Sequence, residues 1–493
     1  MSSRVLFLAA EATPFTKVGG LGDVAGSLPR ALRALPEGPD VRVVLPLHGG
    51  ARARAGRLEH VAYVRVDHPS GPIQGEVLRA AEHPVPIYFV SGPPIDENGP
   101  VYHADAGRDA HRFTWFSLAS LELCRALDFR PDVVHAHDWH TGPAVVAIAR
   151  RRALDPFFER TRTIITVHNL PYQGHGGGAA MRAFGLAPLD APLLPEAVRE
   201  LPLPAALWVA DRITTVSPGY AREMLATEHG AGLDGLLRTR LASDSGLLVG
   251  ILNGLDLAAW DPASDTALVQ RYDVSSLEGR AVNKRALLRE LGLREDLDVP
   301  LIGLVSRLTD QKGADLLPDA LRSIAAHGTR FQAVLLGAGD PHVEQALYAL
   351  GVELADRVRV RVGFDEGLAR RIYAGADMLA LPSRYEPCGL AQMIAMRYGC
   401  VPVARETGGL ADTVRDLDLH DDATGFLFPV ASWRSLEFGL RRAIATWAHQ
   451  ARFRQLVIDG MTEDFSWGRA ALAYARTYAA ITAAASGAGP HRM

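Results

Sequence analysis

One pattern constrains this chain more than any other. Apolar, β-branched runs alternate with amphipathic helical stretches, and the alternation occurs twice. Strand-like runs fall at 4–10, 41–46, 132–136, 163–167, 212–216 and 248–252, then at 300–305, 331–336, 357–362, 377–381 and 400–404. Helical periodicity lies between many of them, as at 109–127, 312–327, 366–374 and 431–447. Strands that alternate with helices are buried on both faces, which specifies parallel sheets. Two such series specify an α/β chain of two doubly wound, Rossmann-like domains. The stretch 60–90 departs from the pattern, and its short strands between Pro and Gly predict a small antiparallel excursion. A boundary near Asn253-Gly254-Leu255-Asp256 gives domains at 1–255 and 256–465. The terminal segment 466–493, helical over 466–485, is expected to pack back on the first domain.

Composition narrows the function classes. Apolar residues make up 48% of the 493 and charged residues 22%, which fits packed globular domains rather than disorder. The net charge of −4 weighs against a nucleic-acid binder held by phosphate contacts. Cys124, Cys388 and Cys400 are too few for a disulfide framework, and a reducing cytoplasm is expected. Val5–Ala10 is too short for a signal-peptide core, and no run reaches a membrane span of about 20 residues. Neither a nucleic acid nor a membrane is expected as partner; the oligomeric state stays open.

Scarce residues carry more information. Of 52 Lys and Arg residues only Lys17, Lys284 and Lys312 are lysines, and the asparagines are Asn98, Asn169, Asn253 and Asn283. A chain that uses Arg for generic surface charge keeps Lys where a compact ammonium fits.

In open α/β sheets ligands bind beyond the carboxyl ends of the strands. The first such loop holds Lys17-Val18-Gly19-Gly20-Leu21-Gly22-Asp23. Its glycines allow close backbone approach and a helix N-terminus that favours an anion, although a tight strand–helix turn would use the same residues. The third informative strand ends His135-Ala136-His137-Asp138-Trp139-His140. That spacing misses the His-x-His-x-Asp-His metal pattern, so no metal is expected, and Asp138 with Trp139 suits hydroxyl recognition and stacking on a sugar. His135 is expected to pack beneath the sheet edge. His168-Asn169 and Asn253 end two further strands.

The second series repeats the arrangement. Arg307 ends a strand and Lys312 is predicted at the following helix start, where two cations and a helix dipole suit a diphosphate. Glu386-Pro387-Cys388-Gly389-Leu390 leads into another predicted helix start, and Thr407-Gly408-Gly409 into a third. Sugar-like contacts on one wall and diphosphate-like contacts on the other suggest a nucleotide sugar in one cleft.

At this point the chain resembles bacterial glycogen synthases and plant starch synthases, the retaining glycosyltransferases of family 5. The resemblance spans nearly the whole chain. It rests on an ordered set: Lys17-Val-Gly-Gly-Leu-Gly-Asp-Val, His135-Ala-His-Asp-Trp-His, Thr166-Val-His-Asn-Leu, Asn253-Gly, Ser306-Arg-Leu-Thr, Gln311-Lys-Gly, Arg384-Tyr-Glu-Pro-Cys-Gly-Leu and Thr407-Gly-Gly-Leu. It implies a GT-B fold, with two Rossmann-like domains facing a central cleft. It also implies transfer of glucose from ADP-glucose to the non-reducing end of an α-1,4-glucan such as glycogen, without cofactor or metal.

By the resemblance, Lys17 contacts ADP-glucose, with Gly19, Gly20 and Asp23 in the same loop. Arg307 and Lys312 stabilise the departing ADP, and His168 meets the transferring glucose. Glu386 acts at the reaction centre, where Asp138 joins the candidate catalytic set. Tyr102 lies near adenine and acceptor, and Phe364 stacks on adenine. Trp139, Asn169, Asn253, Cys388, Gly389, Leu390, Thr407, Gly408 and Gly409 complete the candidate substrate contacts. Three departures stand out. Leu203–Val209 lacks the family's lysine, Ile394 replaces a second Glu, and the glycine-rich Gly174–Gly178 is expected to be mobile.

Overall fold

The computed structural model describes residues 3–487 apart from Pro188, Leu193 and Pro195. The tail 488–493, part of the expected terminal segment, lies outside the described residues. The chain divides into two compact units. The first runs through Gly254 and takes back the chain from Trp467 onward; the second is Leu255–Ser466.

In the first unit nine strands form one sheet. They are β1 (Arg4–Leu8), β2 (Asp40–Pro46), β3 (Leu58–Val66), β4 (Ile73–Ala80), β5 (Ile87–Ser91), β6 (Val133–His137), β7 (Arg162–Val167), β8 (Arg212–Thr215) and β9 (Leu248–Gly250). Their order is β3-β4-β5-β2-β1-β6-β7-β8-β9. β5 through β9 pair in parallel, while β3-β4 and β4-β5 pair antiparallel and form the excursion expected at 60–90. Val5–Leu8 and Val133–His137 are buried at every position, as strands covered on both faces must be.

The helix Trp467–Gly487 packs on the helix Gly20–Arg33. Tyr474 and Tyr478 are buried, and the Tyr478 hydroxyl lies 2.8 Å from His135 Nδ1. At Gly254 a Cβ would meet Trp467 at 2.6 Å, so the outgoing and returning chains touch where only glycine fits.

The second unit carries β10 (Leu301–Val305), β11 (Gln332–Gly337), β12 (Val358–Val362), β13 (Met378–Leu381), β14 (Val401–Arg405) and β15 (Phe426–Phe428). The order is β12-β11-β10-β13-β14-β15, all parallel. Lys284 is buried here, with Nζ 2.7 Å from both Val299 O and Asp377 Oδ2. It ties its helix to β13 and takes no part in the loops that carry chemistry.

Among the parallel strands, order reverses once in each sheet. β1 has β2 on one side and β6 on the other; β10 has β11 and β13. At such a switch point the two following loops diverge and leave a crevice at the carboxyl edge. The Lys17 and Asp138 loops follow β1 and β6. The Arg307–Lys312 and Glu386 loops follow β10 and β13.

Candidate active site

At the switch point of the first unit the structure gathers four side chains and one loop. Asp138 opens the helix Asp138–Arg151 with φ +54, a left-handed conformation that is uncommon for a residue with a Cβ. That geometry turns Oδ1 onto the backbone N–H of His168 at 2.7 Å. The Asn169 N–H also donates to this carboxylate, yet burial and the nearby Glu11 charge push its pKa up to about 7. A burial-dominated shift at a switch point marks a group poised near neutrality.

Glu11 is the residue that the sequence reading missed. It ends β1's apolar run, is buried, and accepts from the N–H groups of Val18 and Gly19. Burial raises its pKa against those bonds. Burial, with the Glu11 and Asp138 charges, holds the Tyr102 phenol well above its usual range. The loop's amides at Val18 and Gly19 are therefore engaged internally, which corrects the expectation that they await an anion. The one sequence signal was a carboxylate closing a buried strand just before a glycine pair. Lys17 Nζ lies 2.8 Å from Asp23 Oδ1 and both stay partly exposed. A Cβ at Gly20 would meet nothing, so that side of the loop is open.

His168 Nε2 lies 2.9 Å from His137 Nδ1. Burial lowers the pKa of His168 to about 3, so it is neutral at pH 7. His135 and His137 are fully buried with ring centroids 4.2 Å apart, and His135 bonds Tyr478 and Thr166 rather than turning toward the site. Among the described residues, no group of three or more His, Cys, Asp or Glu side chains is arranged to hold a metal ion. Asn169 Oδ1 and Asn253 Oδ1 are buried acceptors without a hydrogen bond, the first just past β7 and the second past β9. Orphaned acceptors at a sheet's carboxyl edge suit the hydroxyls of a ligand.

Trp139 packs edge-on against Phe113, with centroids 5.4 Å apart, and against His140. A Cβ at Gly174 would meet the Trp139 ring at 2.8 Å, and one at Gly177 would meet Pro202 at 2.6 Å. The glycine-rich stretch is thus explained by close packing, not by the mobility expected of it. Leu203–Val209 is helical from Pro202 and braces the helix of Asp138, where a Cβ at Gly142 would meet Ala206 at 3.1 Å.

In the second unit Arg307 stands exposed past β10, and its guanidinium has no hydrogen bond or ion pair among the described residues. Lys312 Nζ is 2.5 Å from Glu386 Oε2, which also accepts from the Ser383 hydroxyl at 3.0 Å. The helix predicted from 312 begins only at Leu317. Asp310–Lys312 and Ala314–Leu316 are 3₁₀ turns, so no α-helix dipole is aimed from Lys312. Gly313 (φ +64) explains the break, since a Cβ there would meet Pro382 O at 2.1 Å.

The loops after β10, β13 and β14 are stitched together. Arg384 N donates to Gln311 O at 2.8 Å, and Gly409 N donates to Glu386 O at 2.9 Å. A Cβ on Gly409 would meet Cys388 O at 2.0 Å. Gly409 therefore braces Glu386 and Cys388 through the backbone. The helix after Gly389 and Leu390 starts at Ala391, and Gln392 Nε2 closes onto the Cys388 and Gly389 carbonyls. Phe364 lies apart from this group, past the edge strand β12. It is 92% exposed and borders a cavity of about 330 Å³ with Glu290, Leu336 and Arg361.

Comparison with known proteins agrees with these features. Residues 4–239 match the starch synthase catalytic domain family, and residues 292–457 match glycosyl transferases group 1. The glycogen synthase of Anaeromyxobacter dehalogenans (strain 2CP-C) is 44% identical over 485 residues, 96% of this chain and 99% of the relative. That of Geotalea daltonii is 39% identical over 492 residues, 97% of this chain and 99% of the relative. The catalytic domain of starch synthase IV from Arabidopsis thaliana, bound to ADP and acarbose, aligns with a TM-score of 0.87 at 32% identity. That alignment covers 98% of this chain and 100% of the plant chain. A sucrose-phosphate synthase from Thermosynechococcus elongatus shares the fold, with a TM-score of 0.61 at 20% identity over 98% of this chain and 100% of its own.

Proposed function

This chain belongs to the glycogen synthase and starch synthase family of glycosyltransferases, and on that premise we propose that it moves glucose from ADP-glucose to the non-reducing end of an α-1,4-glucan, retaining the anomeric configuration and releasing ADP. The observation that carries the donor reading is the β10–β13 switch point. There Arg307 stands without a counter-charge beside Lys312 and Glu386. A departing diphosphate gains negative charge as the glycosidic bond breaks. Preorganised cations stabilise it more in the transition state than before it. Arg307 and Lys312 supply that charge in this reading, and no metal is invoked. The plant relative's bound ADP and acarbose support a nucleotide and a glucan as ligands.

Retention needs either a covalent glucosyl-enzyme or return of the acceptor on the leaving group's face. Both candidate carboxylates are poor nucleophiles. Asp138 is half protonated near pH 7 and accepts two backbone N–H groups, while Glu386 is engaged by Lys312 and Ser383. We favour same-face return, with the leaving phosphate taking the acceptor's proton. The half-buried, neutral His168 and the orphaned Asn169 and Asn253 oxygens are assigned to sugar hydroxyls. The reaction is assigned to the cytoplasm; among the described residues no helix is long and apolar enough to cross a membrane.

Incubation with labelled ADP-glucose and glycogen, with EDTA present and UDP-glucose in parallel, tests the reading. Label in amylase-sensitive polymer from ADP-glucose is the expected result. Label from UDP-glucose alone would overturn the donor, a halt by EDTA would overturn metal-free transfer, and a glucosyl adduct on Asp138 or Glu386 would overturn same-face return.

A further inference from the structure

A buried imidazole in contact with His168 serves no role in the reading above. His137 closes β6 and is fully buried. Its backbone N–H donates to the Thr141 hydroxyl at 2.6 Å, and that hydroxyl donates back to the His137 carbonyl at 2.9 Å. Its ring packs against Phe7 and His135, with centroids 4.3 Å and 4.2 Å away. A ring so enclosed is held in one rotamer. Its Nδ1 lies 2.9 Å from His168 Nε2, and its own Nε2 is buried without a hydrogen bond.

The contact between the two rings needs one proton. Burial lowers the pKa of both, so each is neutral at pH 7 and carries a single N–H. Two arrangements are open. If His168 Nε2 donates, His137 carries its proton on Nε2, where a buried N–H meets no acceptor. If His137 Nδ1 donates, its Nε2 is a bare lone pair and His168 carries its proton on Nδ1. Orphaned N–H groups are the rarer kind inside proteins, so the second arrangement is favoured. His168 Nδ1 has no hydrogen bond among the described residues, and the residue is only half-buried. The His168 backbone N–H is already held by Asp138 Oδ1 at 2.7 Å. Backbone and ring are thus fixed by different partners, and one ring nitrogen is left for a ligand.

We propose that His137 is a positioning residue that sets the tautomer of His168, so that His168 offers an Nδ1–H donor to a hydroxyl oxygen of the sugar. The role in transfer rests on the function proposed above; the tautomer does not. A hydroxyl that accepts from His168 must direct its own proton elsewhere. The unpaired Asn169 Oδ1 supplies an acceptor on the next residue. A donor and an acceptor side by side are what one hydroxyl needs.

Nitrogen NMR of the protein with isotope-labelled histidines reads the tautomer without any turnover, because protonated and bare imidazole nitrogens resonate far apart. His137→Asn and His168→Asn assign the two rings by the signals they remove. A protonated Nδ1 on both rings is the expected result. A protonated Nε2 on His168, or signals averaged between the two forms, would overturn the proposal. Turnover supplies a second reading. His137→Asn keeps an amide N–H near the Nδ1 position, whereas His137→Phe fills the buried space without a donor. In the transferase assay His137→Phe is expected to lower kcat/KM about tenfold or more, and His137→Asn less than about threefold. A merely steric role predicts the reverse order, because Asn leaves a cavity against Phe7. That reverse order would also overturn the proposal. Absence of transfer in the unaltered protein, with both Nδ1 atoms protonated, would count against the proposed function and leave the tautomer assignment standing.

Discussion

Replacing Asp138 with asparagine separates the stability of this fold from its chemistry. Asn tolerates the φ of +54 better than other residues with a Cβ, and its amide oxygen still accepts the His168 N–H. The charge is lost together with one acceptor atom, and that second loss does not vary with pH. Asp138 is 8% exposed, and its pKa rises from 3.8 to about 7 on folding. Between those values the folded chain keeps a proton that the unfolded chain has released, so stability falls as pH rises, by up to about 1.4 kcal/mol per unit. Above about pH 7 both states are ionised and the whole penalty, at most about 4 kcal/mol, is present. Below pH 4 it is absent. Asp138→Asn carries no such penalty. Its stability relative to the unaltered chain is expected to grow by about 2 kcal/mol between pH 5.5 and 8.5. Chemical unfolding of the two proteins at several pH values reads this difference directly, because every other titrating group is shared. The same substitution is expected to lower glucan transfer by about 10² or more if the carboxyl takes part in the transition state. A stability difference that stays constant with pH, or that shrinks as pH rises, would refute the argument.

Glu386→Gln removes the charge that now faces Lys312. ADP is then expected to bind more tightly by calorimetry while transfer falls, and weaker ADP binding would contradict the pairing seen at 2.5 Å. Gly313→Ala drives a Cβ into Pro382 O with φ at +64, so a loss of about 2 kcal/mol or more in unfolding free energy is expected. Phe364→Ala, at a residue 92% exposed, is expected to leave stability within about 0.5 kcal/mol and to raise the KM for ADP-glucose several-fold. An unchanged KM would remove Phe364 from the nucleotide site.

Both sheets were legible because parallel strands must be apolar on both faces, which leaves uninterrupted runs such as Val5–Leu8 and Leu301–Val305. β15, only three residues long, carries too little pattern to be read that way. The helix start at Lys312 failed for a local reason. Helical periodicity over 312–327 is real, but Gly313 must avoid Pro382 O, a residue some seventy positions away that no window can see. The glycine-rich stretch at 174–178 misled in the same way, since its partners Trp139 and Pro202 become neighbours only in the fold.

Residue scarcity located two of the site's charged groups, and its third instance shows the limit of the argument. Lys17, Lys284 and Lys312 each pair with a carboxylate, Asp23, Asp377 and Glu386. Each lysine of this chain meets one carboxylate, whether that pair braces a helix or faces a ligand. What separates the two uses is position. Lys312 stands on a loop at a switch point and Lys17 on another, whereas Lys284 is buried within a helix. Glu11 teaches the complement. Only its place at the end of an apolar run marks it, because its role arises from Tyr102, Asp138 and two amides that the fold brings together. The polar groups that a sequence reveals most readily are those that a loop presents. Those that hold the loop in place are buried behind it, and they become visible only through the hydrogen bonds that their burial requires.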